Sequence, residues 1–341
     1  MLRFMSAGES HGESMAGILE GLPAGLTIDV EFINKELARR QLGYGRGGRM
    51  KIEKDKIHII SGIKAKKTLG SPVSFLIKNR DFKINELPKI SEPRPGHADL
   101  TGAIKYGFSD MRCVLERASA RETVVRVGTG GICKILLREF GIRIKSTRIS
   151  VGGQTSLKKI NEKIDRARIQ GDSLGGIFEV KAENVPVGLG SYVHYDRRLD
   201  ARLAAALMSI PAVKAVEFGD GFASASKLGS QVHDIITYAK AKGFYRRTNN
   251  AGGLEGGMSN GETIIARCAM KPIATLGSPL PSVNIKTKKN AKASVQRSDI
   301  SAVVAAGVIG ESMMAIVIAD AFLERFGSDD LEKIKKHYKL Q

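Results

Sequence analysis

The chain has 341 residues, of which 42% are hydrophobic, so one large domain or two ordinary ones could bury a substantial core. Its formal net charge of +19 implies anionic partners, although charge alone does not choose among nucleic acid, acidic lipid and small polyanions. Three widely spaced cysteines argue against a disulfide framework or a CxxC metal site, and the N-terminus lacks the long apolar run of a secretion signal, which favours a reducing cytoplasm.

The predicted elements mix strands and helices, with no internal repeat and no linker that splits the chain. Strands are predicted near the N-terminus and over 51–60, 73–77, 143–152, 175–187, 213–218 and 262–270. Helices are predicted over 29–41 with Asp29 as its cap, and over 119–140, 158–170, 199–208 and 300–325 with Ser298 or Asp299 as the last cap. The apolar run 302–322 contains Glu311, Ser312 and Asp320, so it predicts a buried helix and no membrane span.

The helix that starts near residue 119 is a candidate anion site. Ser119 and Glu122 have the spacing of a capping box, which places a helix N-terminus there. Such an end has unpaired N–H groups and a positive dipole, and Arg117 and Arg121 would flank one phosphate or carboxylate. The alternative is a surface helix start with solvated arginines. Gly128, Gly130 and Gly131 farther along predict close packing against another backbone, since each costs about 1 kcal/mol in a helix relative to alanine.

Two glycine-rich segments predict loops that approach a ligand closely. In 43–49 the glycines let backbone N–H groups turn inward as a nest for anions, with Arg46 and Arg49 supplying charge. The competing interpretation is an RGG-like segment for single-stranded nucleic acid, but such segments are usually longer and repeated. The segment 248–261 contains no GxGxxG that follows a strand and opens a helix, so it favours a loop beside a flat ligand over a dinucleotide fold.

Seven segments, in one order along nearly the whole chain, strongly resemble the chorismate synthase family. They are Gly8-Glu9-Ser10-His11-Gly12, Gly43-Tyr44-Gly45-Arg46-Gly47-Gly48-Arg49, Arg94-Pro95-Gly96-His97-Ala98-Asp99, Arg117-Ala118-Ser119-Ala120-Arg121-Glu122-Thr123, Arg247-Thr248-Asn249-Asn250-Ala251-Gly252-Gly253, Lys271-Pro272-Ile273 and Arg297-Ser298-Asp299. Each motif alone is weak evidence for the family, whereas the seven motifs in this order are very specific to it. One departure is that the region between about 147 and 170 looks shorter than in many members.

The resemblance implies an α+β fold, a β-α-β sandwich with long central helices between antiparallel sheets, in a single catalytic domain over 1–341. It implies a lyase that eliminates phosphate from 5-enolpyruvylshikimate 3-phosphate to give chorismate, the last shared step toward aromatic amino acids. The family requires reduced FMN although the reaction is redox-neutral. A cytoplasmic homotetramer is expected, with NADPH as an indirect electron source. An external flavin reductase is expected too, since no added reductase domain is visible.

The resemblance also implies roles for particular residues. His11 would protonate the departing phosphate, His97 would protonate or hold the proton of the reduced flavin, and Asp299 would help to remove the ring proton of the substrate. Substrate contacts are expected from Ser10, Arg40, Arg46, Arg49 and Arg121, and Arg40 and Arg46 are also candidates for nicotinamide-nucleotide contacts. FMN contacts are expected from Arg117, Ala118, Ser119, Pro211, Ala212, Gly256, Lys271, Pro272, Ile273, Ala274, Thr275 and Arg297. Pro211 stands where many relatives carry asparagine, which leaves only a backbone contact there.

The residues themselves agree with this chemistry. The substrate carries two carboxylates and a phosphate, and the guanidinium group of arginine matches both geometries. Histidine suits proton transfer because its pKa is ordinarily near neutrality. A basic nucleic-acid-binding protein is the rival from another class, but the chain has few aromatic residues to stack bases. A different flavin enzyme acting on a phosphorylated substrate is the second rival. We therefore expect no nucleic-acid or membrane partner and no metal.

Overall fold

The computed structural model describes residues 2–48, 52–296, 299–327 and 329–340. Its helices in the described part are α1 Val30–Gln41, α2 Asp99–Tyr106, α3 Arg112–Ala118, α4 Thr123–Arg138, α5 Leu157–Gln170, α6 Leu199–Met208, α7 Gly229–Val232, α8 Val303–Phe326 and α9 Leu331–Lys339. Its strands there are β1 Arg3–Ala7, β2 Ser14–Glu20, β3 His58–Ile59, β4 Ile63–Lys64, β5 Lys67–Thr68, β6 Val73–Lys78, β7 Arg143–Val151, β8 Gly176–Glu183, β9 Val213–Phe218, β10 Ile236–Ala239, β11 Gly243–Arg246, β12 Leu254–Glu255, β13 Met258–Ser259, β14 Ile264–Met270, β15 Pro281–Val283 and β16 Asn290–Lys292.

Two four-stranded antiparallel sheets form the outer layers. Sheet I has the order β1-β2-β6-β3, and sheet II has the order β7-β8-β14-β9. In β14 the residues alternate between buried and half-buried, the period-2 pattern of a strand with one face on the core. Strands β10–β13, β15–β16 and β4–β5 form separate hairpins at the periphery.

Helices α4 and α8 form the central layer between the two sheets, and glycines bring them close. A Cβ on Gly130 of α4 would lie 2.3 Å from the Cβ of Ser312 on α8, so the helices meet backbone to backbone. A Cβ on Gly128 would lie 3.0 Å from the ring of Phe75 in sheet I, and one on Gly310 would lie 2.8 Å from the ring of Phe178 in sheet II. The mid-helix glycines therefore do pack closely, as predicted, and the β-α-β sandwich is confirmed.

Helix α8 is the one described helix that is long and apolar enough to span a membrane, and 83% of its most apolar window is buried inside the protein. Its side chains pack against both α4 and sheet II, which explains why it lacks an amphipathic pattern. The prediction of a buried helix is confirmed for this segment.

A charged cluster ties the central layer together at its middle. The buried carboxylate of Glu311 on α8 accepts hydrogen bonds from Arg39 of α1 at 2.7 and 2.9 Å and from Lys134 of α4 at 2.5 Å. It also accepts from the backbone N–H and hydroxyl of Ser146 on β7. Lys134 and Arg39 in turn bind Glu36, so two cations and two carboxylates balance in charge.

Several element predictions need correction. Residue 51 lies outside the described residues, and within 52–60 the expected strand is present only as β3. The expected 119–140 helix begins at Thr123 after a 3-10 turn. Glu122 does not reach back to Ser119 as a capping box requires, because its carboxylate pairs with Arg126 one turn later. Asp29 does cap α1, accepting from the N–H of Phe32 at 3.0 Å. Helix α8 starts after Ala302, so Asp299 is not its cap, and Ser298 lies outside the described residues.

Candidate active site

A cavity of about 630 Å³ opens at the end of the sandwich where α4 and α8 begin. This volume lies within the usual range of about 300–1,000 Å³ for small-molecule sites. Thr123, the first residue of α4, and Ala302, the N-cap of α8, both line it. Two helix N-termini therefore border the cavity, and their positive dipole ends favour an anionic ligand.

Three arginines line the cavity and are paired with acids, of which Asp55 is buried and Asp299 is half-buried. Arg40 and Arg121 share the carboxylate of Asp55, with both N–O distances at 2.7 Å. Burial alone would raise the pKa of Asp55, but the two guanidinium groups outweigh it and hold that pKa below its usual range. Arg46 pairs with Asp299 at 2.6 Å. Burial lowers the pKa of Arg40 and of Arg46.

Arg40 and Arg46 keep unused donors. The Nε atoms of both guanidinium groups are buried and have no hydrogen-bond partner among the residues that the structure describes. A buried donor without an acceptor costs about 1–3 kcal/mol, so an oxygen acceptor that reached either Nε would be favourable. Both arginines line the cavity.

His11 lies on the cavity wall in the segment between β1 and β2. Its Nδ1 is 2.9 Å from Oε1 of Glu116 on α3, and its backbone N–H donates to Oε2 of the same carboxylate at 2.7 Å. Its Nε2 is 3.7 Å from Oδ2 of Asp81, another cavity residue. Burial would raise the pKa of Glu116, but the bonds from His11 outweigh it and lower that pKa.

His97 faces the same cavity from the turn that precedes α2. Its Nδ1 lies 2.5 Å from Oδ1 of Asp99, whose carboxylate also receives Nε and Nη2 of Arg94 at 2.8 and 2.9 Å. Burial would raise the pKa of Asp99, but these donors hold it well below its usual range. An ionised carboxylate only accepts, so Nδ1 carries a hydrogen, and the 3.0 Å approach of Arg94 to Nδ1 is a contact and not a hydrogen bond.

The turn that carries His97 is fastened to the segment after β14. Lys271 donates through Nζ to the carbonyl of Gly96, and Nη1 of Arg94 donates to the hydroxyl of Thr275 at 2.7 Å. Gly96 has φ +78°, a left-handed conformation that favours glycine. These two hydrogen bonds therefore join the segment after β14 of sheet II to the turn between β6 of sheet I and α2.

Many of the residues that line the cavity are apolar. They include Ile210, Pro211, Ala212, Met270, Ile273, Ala274, Ala302, Ala305, Ala306 and Ile309. Ala212 has φ +69°, an uncommon conformation for a residue other than glycine, and its carbonyl accepts from the N–H of Lys271. A cavity lined by both cationic and apolar side chains suits a ligand that is part ring and part anion.

Most of the residues predicted from the sequence meet at this cavity, and a few do not. The predicted residues on its wall are Ser10, His11, Arg40, Arg46, His97, Ala118, Ser119, Arg121, Pro211, Ala212, Lys271, Ile273, Ala274, Thr275 and Asp299. Arg117 instead binds the carbonyls of Ser6 and Gly8, and Pro272 is not among the lining residues. Gly256 lies in the tight turn between β12 and β13, away from the wall. Arg49 and Arg297 lie outside the described residues.

Sequence reasoning missed the acids behind the site. Asp55 and Glu53 alternate with exposed Lys54 and Lys56, and both acids are buried. That alternation was visible and could have marked them as inward-facing. Asp99 lies within a quoted motif and Glu116 directly precedes another, but their pairing with the two histidines depends on the tertiary structure.

Comparisons with known proteins point to one family. A family model described as chorismate synthase matches residues 2–323. Curated chorismate synthases of Thermoanaerobacter pseudethanolicus and Caldanaerobacter subterraneus are 54% and 55% identical over 340 residues, covering 99% of this chain and 97% of each relative. The chorismate synthase of Aquifex aeolicus is 49% identical, covering 99% of this chain and 96% of the relative.

A solved structure is similar over the same extent. A crystal structure described as chorismate synthase superposes with a TM-score of 0.81 at 43% identity, covering 99% of this chain and 96% of that one. Identity at this level over the full length relates the chains in sequence as well as in fold. The chain therefore belongs to the chorismate synthase family.

Proposed function

We propose that this lyase catalyses the 1,4-trans elimination of phosphate from 5-enolpyruvylshikimate 3-phosphate to give chorismate, and that it requires reduced FMN. The observation that carries the proposal is the meeting of two histidines and three arginines on one cavity that is also lined by many apolar side chains. The reaction has an anionic substrate, an anionic leaving group and a planar cofactor. The arginines suit the two anions, and the apolar side chains suit the ring of the cofactor.

The cavity fits a flavin in chemistry. Ala212, Ile273 and Ala305 line the cavity and offer apolar contact for a ring system, and Ser119 lies beside the helix N-terminus at Thr123. Ala118, Ser119, Pro211, Ala212 and the segment 271–275 would hold FMN, with Arg117, Gly256 and Arg297 as further candidates. Bound reduced FMN would lend electron density to the substrate and recover it.

The arginines that line the cavity would bind the substrate. Arg40, Arg46 and Arg121 would hold its carboxylates and phosphate, aided by Ser10, whose backbone N–H donates to the carbonyl of Glu116. Because Arg40 and Arg46 each retain a buried Nε without a partner in the described chain, an anion can be bound there without breaking the pairs with Asp55 and Asp299. We include Arg49 in this set by resemblance.

The two histidines would act on protons at separate places on the wall. His11 would donate a proton from Nε2 to the departing phosphate, and Lys83 on the same wall would support the charge that develops. His97 would hold a proton next to the flavin. Asp299 would assist removal of the ring proton of the substrate, for which its carboxylate must be shared with Arg46 or leave it.

We also propose a homotetramer in the cytoplasm, with FMN reduced by an external flavin reductase and NADPH as the indirect source of electrons. Arg40 and Arg46 are the candidate nicotinamide-nucleotide contacts if the protein reduces its own flavin. FAD is a second flavin candidate beside FMN.

The test is an anaerobic assay with chemically reduced FMN and 5-enolpyruvylshikimate 3-phosphate, following chorismate by absorbance and phosphate by a coupled assay. We expect equal amounts of both products and no net oxidation of the flavin. Phosphate without chorismate would indicate a phosphatase, and no product would overturn the proposal. Oxidised FMN mixed with protein should show perturbed flavin bands when the substrate is added, whereas a nucleic-acid-binding protein would show salt-dependent binding to DNA or RNA.

A further inference from the structure

Each histidine of the cavity has a buried carboxylate at its Nδ1. His11 has Glu116, whose side chain is 3% exposed, and His97 has Asp99, whose side chain is 1% exposed. Neither acid is among the residues that line the cavity, so both act on the site from behind. Carboxylates in this position are a common device for fixing the tautomer and the plane of an imidazole ring.

Glu116 constrains His11 at two points. One oxygen accepts the backbone N–H of His11 at 2.7 Å, and both oxygens lie within 3.1 Å of Nδ1. Two contacts from one carboxylate, one to the main chain and one to the ring, define the rotation of the side chain as well as its position. Glu116 also comes within 3.9 Å of Arg112, a longer contact on the same helix.

The chemistry of the pair assigns the hydrogens. The pKa of the Glu116 carboxyl is held below its ordinary value by its bonds with His11, so the group is ionised near neutral pH and can only accept. Nδ1 of His11 must therefore carry a hydrogen in both states of the ring. The proton that His11 gains or loses consequently resides on Nε2, the nitrogen on the side of Asp81 and the cavity.

We propose that Glu116 is a positioning residue of this enzyme, which holds Nδ1 of His11 as the N–H nitrogen and so leaves Nε2 as the atom that exchanges a proton in the cavity. Without Glu116 the neutral ring could carry its hydrogen on Nε2, and in that tautomer it presents no lone pair to the cavity. This inference rests on the proposed function, which makes His11 the proton donor to phosphate, and it extends that function to a residue with no expected ligand contact.

Asp99 stands in the same relation to His97, but Glu116 gives the cleaner test. Asp99 also binds the side chain and the N–H of Arg94, so its replacement would disturb the whole turn. The side chain of Glu116 has its short contacts with His11 alone among the described residues. A variant at position 116 therefore changes one ring and little else.

The experiment compares wild type with Glu116→Met, which keeps the length of the side chain but removes both oxygens, and Glu116→Gln, which keeps one acceptor oxygen. The matched control is Glu122→Gln, since Glu122 is a nearby carboxylate that pairs with Arg126 and not with a histidine. Nitrogen-15 NMR of histidine-labelled full-length protein gives the fraction of His11 with hydrogen on Nδ1, and His11→Gln assigns the signal. Steady-state kinetics with reduced FMN give kcat and KM for 5-enolpyruvylshikimate 3-phosphate.

We expect Glu116→Met to shift His11 toward the Nε2–H tautomer and to lower kcat roughly 10–100-fold, as for carboxylates that orient metal-bound histidines, with KM changed less than about threefold. Glu116→Gln should give a tautomer fraction and a kcat between those of wild type and Glu116→Met. Glu122→Gln should match wild type in both quantities. An unchanged tautomer or an unchanged kcat in Glu116→Met overturns the proposal. If that variant does not fold, Glu116→Gln decides, and wild-type values in both of its readouts overturn the proposal. Wild type that forms no chorismate refutes the proposed function instead, while the NMR result still tests the tautomer.

Discussion

Replacing Glu311 by glutamine tests how the central layer is held together. The side chain is 0% exposed and receives bonds from a lysine, an arginine and a serine that belong to three different elements. The change keeps the shape and removes one negative charge, so Lys134 and Arg39 would face only Glu36. Breaking a buried ion pair from one side costs about 3–5 kcal/mol because the remaining charge stays buried.

The pKa of Glu311 gives an independent magnitude. Burial would raise it, but Arg39, Lys134 and Ser146 outweigh burial and lower the pKa from 4.5 to about 2. A depression of this size corresponds to about 3 kcal/mol of stability, in agreement with the range for a broken pair. Because the folded pKa lies below the unfolded value, this stability is fully present above pH 4.5 and is lost as the pH falls through 2.

Equilibrium unfolding in guanidinium chloride, followed by circular dichroism at one protein concentration, measures the effect. We expect Glu311→Gln to lose about 3 kcal/mol in the free energy of unfolding at pH 7. At pH 4 the difference in free energy of unfolding between Glu311→Gln and wild type should be about 1 kcal/mol smaller, since the carboxyl of Glu311 in the unfolded chain is by then mostly protonated. The control is Glu332→Gln, because the side chain of Glu332 is 74% exposed. This variant should change the free energy of unfolding by less than about 0.5 kcal/mol. Equal stability of Glu311→Gln and wild type at pH 7 would refute the reasoning.

The other predictions concern the cavity and the helix contact. His11→Ala and His97→Ala should each lose roughly 10²–10⁴-fold in kcat with an unchanged circular dichroism spectrum, and full activity in both would contradict their assigned roles. Arg46→Ala should chiefly weaken binding of 5-enolpyruvylshikimate 3-phosphate, measured by calorimetry, and an unaltered Kd would mean that the substrate lies elsewhere. Gly130→Ala should cost about 1–3 kcal/mol and lower Tm, because its Cβ has no room against α8, whereas Gly229→Ala has ordinary contacts and should not.

The elements were largely predictable because their patterns are local. The period of the apolar residues placed α6 at Leu199–Met208 and β9 at Val213–Phe218 with the observed bounds. The strand expected over 51–60 was wrong for most of its length because alternation shows which side chains are buried and not whether the backbone joins a sheet. Glu53 and Ile57 are indeed buried there, but among the described residues of that range only His58–Ile59 pairs with β6.

Most of the residues that line the cavity were predictable from the sequence, and the acids that support them were not. Ser119 and Glu122 have capping-box spacing, yet a 3-10 turn follows Ser119 and the carboxylate of Glu122 pairs with Arg126. The ion pair therefore forms in place of the capping box. The partnership of Arg40 with Arg121 through Asp55 spans three distant segments of the chain. No spacing rule connects such residues, and the resemblance to a family identified the two arginines without the acid between them.

A net charge of +19 suggests a strongly cationic cavity, but the cations that line the cavity are matched by acids. Six cationic side chains line it: Arg40, Arg46, Lys83, Arg94, Arg121 and Lys271. Six carboxylates lie among or directly behind them in the described chain: Glu53, Asp55, Asp81, Asp99, Glu116 and Asp299. A buried guanidinium without a counterion would cost several kcal/mol, so the fold supplies its own acids before any ligand arrives. Selectivity for a polyanion must then come from the donors that the acids leave unused, among them the buried Nε atoms of Arg40 and Arg46, which have no partner in the described chain.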